Sequence, residues 1–228
     1  MKTTRTLLTT ALLALGVGSL SAQILVPGSA LIAHVEGKVY LDQERVEPSS
    51  APIFILNPNS AVRTEDGRAE IRLAGGVYLF LGQNAAVKRV PSGGYNFSRF
   101  EMPSGSAVVS RGEMSSVATC SNEVTLSDSG LYRFDVAFLP ELPTNEKLCG
   151  LRVYEGAAAV KLETVVSVVT AGKSTGLNLR CGDRTTLPQK FDPEHTDALD
   201  DWSRQRIRLR STQSLIIPLF KLTHYSPV

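Results

Sequence analysis

The sequence is poor in the residues that most often do chemistry. It has three histidines, three cysteines and one tryptophan in 228 residues. His34, His195 and His224 are far apart in segments of different character, and the tight His-x-His with a nearby Glu that a metal-binding jelly roll needs is missing. No serine lies in a Gly-x-Ser-x-Gly elbow, and Pro103-Ser104-Gly105-Ser106 reads as a turn with no base beside it. Glu65-Asp66-Gly67 lacks the alternating oxygen ligands of a calcium loop. Asp200 and Asp201 are neighbours on a helical segment and so point in different directions, unlike a glycosidase pair. The residues therefore assign no catalytic group, no metal site and no cofactor.

Charge of one sign is also scarce. Two of the 24 basic residues, Lys2 and Arg5, lie in the first 22 positions, which hold none of the 22 acidic residues. Residues 23–228 are formally neutral, without the electrostatic footprint of a nucleic-acid or anionic-lipid binder. Long apolar runs are absent beyond the start. There, a basic Lys2–Arg5 stretch, an uncharged apolar Leu7–Leu20 and the small residues Ser19-Leu20-Ser21-Ala22 have the order of a secretory signal peptide. Fewer than about 20 apolar residues is short for a spanning helix. The expectation is cleavage after Ser21 or Ala22, export to the periplasm or the extracellular space, and no stable membrane insertion afterwards. If residues 1–22 stay uncleaved, the chain becomes a membrane-tethered sensor.

What the sequence has is short β-like runs between turn residues, from Gln23 to Arg184. Arg68-Ala69-Glu70-Ile71-Arg72-Leu73 alternates strictly, as a half-buried strand does. It puts Arg68, Glu70 and Arg72 on one exposed face, read as plain solvated side chains beside the alternative of one rim of a contact surface. Leu131–Val136 places Tyr132, Phe134 and Val136 on one side and Arg133 and Asp135 on the other. Arg133 and Asp135 form a candidate recognition pair, beside the plainer reading of a satisfied surface. Tyr95 and Phe97, two apart, suit a core better than a sugar-stacking platform. Many short strands with no helices between them predict a mainly β fold, a sandwich or solenoid-like sheet, over residues 23–188.

The pattern changes at Pro188. Asp192-Pro193-Glu194 has the residue order of a helix start, and Leu199, Trp202, Arg206 and Leu209 fall on one stripe. An amphipathic helix is expected over 189–212, anchored on the β body by Trp202. The apolar SLIIPLFKL within 213–228 fits no helix through Pro218, so an irregular tail is expected. Of Cys120, Cys149 and Cys181, an exported chain would pair two. Cys149 beside a strand and Cys181 at the end of another are the candidate disulfide.

Gly37-Lys38-Val39, then Val62-Arg63-Thr64-Glu65-Asp66-Gly67-Arg68-Ala69-Glu70-Ile71-Arg72-Leu73 with Gly76 and Leu79, resemble the centre of a FecR-like domain. Phe100–Val109, Ser129–Asp135 and Leu151–Ala157 resemble its later strands, and Asp197–Ser203 the closing helix of exported members, so the resemblance spans about 33–210. It implies a periplasmic β domain used for contact with a partner protein or an envelope polymer, without catalysis. The family's membrane-spanning members regulate sigma factors from a cytoplasmic end. The absence of such a region ahead of the apolar segment keeps that role from being carried over. The alternative is a carbohydrate-active hydrolase of the envelope, which needs two carboxylates facing each other across a cleft.

Overall fold

The computed structural model describes residues 30–47, 54–73, 76–91, 98–111, 115–120, 122–138, 147–162, 165–177 and 187–221. Within them the chain is mainly β, with 17 strands and one C-terminal helix. The strands, numbered in chain order, form two layers. The first runs β4 (Phe54–Ile55), β1 (Ala30–Glu36), β6 (Arg68–Leu73), β7 (Tyr78–Leu81), β9 (Ser98–Ser110), β12 (Leu131–Phe138), β13 (Lys147–Glu155), β16 (Lys173–Gly176), β17 (Gln189–Lys190). The second runs β3 (Glu44–Val46), β2 (Val39–Leu41), β5 (Ala61–Thr64), β8 (Ala86–Val90), β9, β10 (Ser115–Thr119), β11 (Asn122–Leu126), β14 (Ala157–Leu162), β15 (Val165–Thr170). Every described pairing is antiparallel except β9 with β10.

Strand β9 belongs to both layers. Its N-terminal part pairs with β8 and β10, and its C-terminal part with β7 and β12. The switch falls at Gly105, where φ is +83° and an added Cβ would run into the backbone of Ala85. Only glycine combines that backbone angle with that closeness. Gly37 and Gly67 make a similar approach where the β1–β2 and β5–β6 turns cross; a Cβ on either would lie 2.5 Å from a carbonyl oxygen of the other turn.

Alternation on each strand fills the space between the layers. Ala69, Ile71 and Leu73 of β6 and Tyr132, Phe134 and Val136 of β12 meet Val62, Val87, Phe100, Val117, Val124 and Leu126 of the second layer in one continuous core. Each fully buried Leu or Phe there stabilises the fold by about 2 kcal/mol. The opposite sides of β6 and β12 are largely covered, with Glu70 and Arg133 buried and Arg72 left exposed. They lie beneath the helix α1 (Ala198–Lys221), which packs on the outer face of the first layer. Phe80, Val108 and Leu131 meet Leu199 and Trp202 in a second, smaller apolar cluster.

The helix begins later than its first cap-like sequence suggests. The Asp192 carboxylate accepts the Glu194 N–H at 3.0 Å in a turn, and the chain stays non-helical to Asp197. Asp197 Oδ1 then accepts the Leu199 and Asp200 N–H groups at 2.9 and 3.1 Å, while Asp200 Oδ2 accepts the Asp197 N–H at 3.3 Å. This is a reciprocal capping box with Asp at both positions. At the other end the helical backbone continues through Pro218 to Lys221, so residues 213–221 are not an irregular tail. Proline removes one hydrogen-bond donor there without ending the helix. The seated face also differs from the expected stripe: Leu209 is 48% exposed, whereas Asp200 and Ser203 are buried beside Leu199 and Trp202.

Candidate functional site

The two residues singled out as a recognition pair, Arg133 and Asp135, are instead part of the seam under the helix. Arg133 is 5% exposed. Its Nη1 donates to Asp200 Oδ2 at 2.7 Å, its Nη2 to Asp197 Oδ2 at 2.6 Å and its Nε to both oxygens of Asp135 at 3.0 and 3.1 Å. Ser106 Oγ donates to Asp135 Oδ1 and the Tyr154 hydroxyl to Asp200 Oδ2. All of the guanidinium's planar fork is used, which makes Arg133 the bolt of the helix N-terminus rather than an exposed contact. Burial works against its charge, but the hydrogen bond to Asp197 and the charges of Asp135 and Asp200 outweigh that and raise its pKa. The same hydrogen bond from Arg133 holds Asp197 down at about 2. Burial, then the Asp200 charge, push the Tyr154 hydroxyl up.

Glu70, expected on a solvated face, is fully buried as the second bolt. Arg206 Nε donates to its Oε2 at 2.7 Å and Arg210 Nε to its Oε1 at 2.9 Å. Arg72 of the same face is exposed. Trp202 lies between the bolts, its ring edge-on to Phe80 at 5.7 Å and its Nε1 donating to Glu36 Oε1 at 2.8 Å. Ion pairs and an indole thus fix a helix whose buried side carries few apolar residues.

The disulfide pairs Cys149 with Cys120, not with Cys181, which lies outside the described residues. Cys149 points inward from β13 and meets the tight β10–β11 turn, with 6.3 Å between the two Cα atoms. That turn is also held by Thr119 Oγ1 on the Met102 carbonyl at 2.9 Å and by Asn122 Nδ2 on the carbonyls of Cys120 and Leu177. The crosslink ties the two layers together. Replacing both cysteines in C120S/C149S is expected to lower stability by about 3 kcal/mol, from a loop of roughly 30 residues no longer closed in the unfolded chain. Urea unfolding of oxidised wild type against the variant checks this; equal midpoints would contradict it.

The crosslinked turn is one wall of the most chemically distinctive surface, a cleft of about 720 Å³ on the outer face of the second layer. Registers build it. Lys88 of β8, Glu101 of β9, Ala118 of β10, Glu123 of β11 and Lys161 of β14 stand opposite one another in a single row across five strands. Arg99 stands in the next row, and Lys147 reaches in from β13, its Nζ donating to the Pro103 carbonyl at 2.9 Å. Four cations face two carboxylates. Ser116 Oγ donates to Glu123 Oε1 at 3.1 Å. Arg99 Nε is 3.3 Å from the same oxygen, close enough for ionic attraction but not aligned for a hydrogen bond; it is a buried donor without a hydrogen-bond partner among the described residues. A groove of this kind draws in negatively charged groups.

None of the cleft residues stood out in the sequence. The charged ones come from five strands between positions 88 and 161; β9 supplies two, and Lys147 stands at the start of β13 on the same side as the inward-pointing Cys149. Of the histidines, His34 contacts Glu36 at 3.1 Å and His195 sits in the turn before the helix, while His224, Tyr95 and Phe97 lie outside the described residues. Among the described residues, no group of three or more His, Cys, Asp or Glu could hold a metal ion, and no helix is long and apolar enough to cross a membrane.

No family model matches the chain, and neither does any curated protein. Two crystal structures of a candidate anti-sigma factor from Parabacteroides distasonis ATCC 8503 are similar to part of it, with TM-scores of 0.44 and 0.43 at 15% and 14% identity. Each match covers 58% of this chain and 59% of the other, and at this level of similarity nothing about partner or activity passes from one to the other.

Proposed function

We propose that the protein is an exported, non-catalytic binding module of the periplasm or cell surface, and that its contact site is the Lys88/Arg99/Lys147/Lys161 cleft. The partner is an acidic stretch of a protein or of an envelope polymer. The observation that carries this reading is the gathering of four cations against two carboxylates in one cleft of a chain whose residues 23–228 are formally neutral. The signal-like start and the disulfide support an oxidising compartment. The same cleft contains Glu101 and Glu123, two strands apart and so about 10 Å at the backbone, which is the observation behind a hydrolase reading. Binding is favoured because Glu123 is engaged by Ser116 and faces Arg99 rather than a second carboxylate.

The test uses poly-L-glutamate, polygalacturonate and neutral dextran as probes in titration calorimetry. Binding to at least one polyanion and none to dextran is expected, weakening as salt rises. The K88Q/K161Q variant should bind about tenfold or more weakly at nearly unchanged thermal stability, because both side chains are on the surface and no like charges are brought opposite each other. No polyanion binding by the wild type, or equal binding by the variant, overturns the reading. Cleavage of polygalacturonate that is lost in Glu123→Gln would replace it with the hydrolase.

A further inference from the structure

The two layers have four edges, and three of them are poor templates for another strand. Edge strands β4 and β17 are two residues long, and β3 is three residues with two charges, Glu44 and Arg45. The fourth edge is different. Strand β15, Val165-Val166-Ser167-Val168-Val169-Thr170, is six residues long with no charge and no proline. Among the described residues its registers are all with β14. Val165, Val166 and Val168 are 47%, 60% and 58% exposed. Long, uncharged, apolar edges are what proteins blunt unless the edge is used.

We infer that β15 is a homodimerisation edge, on which a second copy of this chain pairs antiparallel about a two-fold axis at Ser167. The occupant follows from the strand's own sequence. Val-Val-Ser-Val-Val reads the same in both directions, so Ser167 faces its own copy and each Val166 faces the partner copy's Val168. Both cross-strand pairs are then β-branched and apolar, the combination that stabilises neighbouring strands. The absence of charge removes the like-charge repulsion that a two-fold imposes on any charged residue near its axis. Val166 and Val168 share the outer face, since Val166 is opposite Lys161 and Val168 is opposite Ala159. A two-fold through the sheet keeps the outer faces of both copies on the same side, so the second layers merge into one sheet of 18 strands. The inference stands without the cleft reading, because it uses none of the cleft's chemistry.

Sedimentation equilibrium of the purified protein over a concentration series up to about 1 mM tests it, since an interface of one strand pair is small and weak. A monomer–dimer equilibrium is expected. In V166K/V168K four lysines meet across the axis, and dimerisation should weaken by about tenfold or more with an unchanged circular dichroism spectrum. In a C181S background, Ser167→Cys should crosslink two copies on mild oxidation and Thr170→Cys should not. A wild type that is monomeric throughout overturns the inference. So does a V166K/V168K variant that dimerises as the wild type does, or a dimer in which Ser167→Cys gives no crosslink.

Discussion

Arg133→Met should cost about 3–5 kcal/mol of stability, the range for removing one partner of a buried ion pair. The size follows from what is left behind. Asp200 is 2% exposed, and without the guanidinium it keeps only the Tyr154 hydroxyl and a backbone N–H as partners. Asp197 loses its 2.6 Å contact but is half exposed, so water replaces much of it. Asp135 retains Ser106, with Arg152 at 3.7 Å. The loss is thus concentrated on one buried carboxylate at the start of the helix. Acid should have a related effect. Asp197 has a folded-state pKa lowered to about 2 from 3.8, so its share of stability is present above about pH 4 and disappears as pH falls through 2. Urea midpoints at pH 7 and pH 2.5 check both statements: the gap between wild type and Arg133→Met should narrow in acid. A pH 7 difference below about 1 kcal/mol would mean that the seam is not held as described.

Trp202→Ala should be as damaging, at about 3–5 kcal/mol for a truncated buried indole. Trp202 is 6% exposed, meets Phe80 edge-on and carries Arg68 over its ring at 5.8 Å. The second apolar cluster has only five buried members, so it has little else to close around the hole. Trp202→Phe separates the contributions. It keeps a ring on Phe80 and loses the donor to Glu36, whose carboxylate is reachable by water, so about 1 kcal/mol is expected. The wild-type protein contains a single tryptophan. Its emission therefore reports directly whether the helix stays on the sheet, and Arg133→Met should redden that emission at lower urea than the far-ultraviolet signal is lost. Coincident transitions in the variant would show that helix and sheets come apart as one unit.

Much of the fold was legible because alternation is a local signal. The period-two patterns at Arg68–Leu73 and Leu131–Val136 locate β6 and β12 and assign their core faces correctly. What the pattern does not reveal is whether the other face meets water or another element. Glu70 meets Arg206 and Arg210 across 136 and 140 residues of chain, and Arg133 meets Asp197 and Asp200 across 64 and 67. A charged residue on an alternating strand looks solvated until its partner's position is known. The misplaced helix start has a nearer cause. Asp192-Pro193 and Asp197 are both good caps, and the second wins because Asp200 three residues later completes the box and both acids reach Arg133. The cleft was illegible for a third reason. Its charges are opposed through strand registers, which depend on turns and on the bend at Gly105 rather than on any spacing in the chain.

One consequence is a division of the molecule into a sealed face and an open one. The helix closes the first layer with two ionic bolts and an indole, and the second layer's outer face carries the cleft in which four cations gather. Backbone amide chemical-shift mapping by NMR during titration with poly-L-glutamate tests that division most directly. The account predicts shifts gathered on β8, the N-terminal half of β9, β10, β11 and the Lys147 and Lys161 segments, with α1 unmoved. Shifts centred on α1 and the first layer, or no shifts at all, would contradict it.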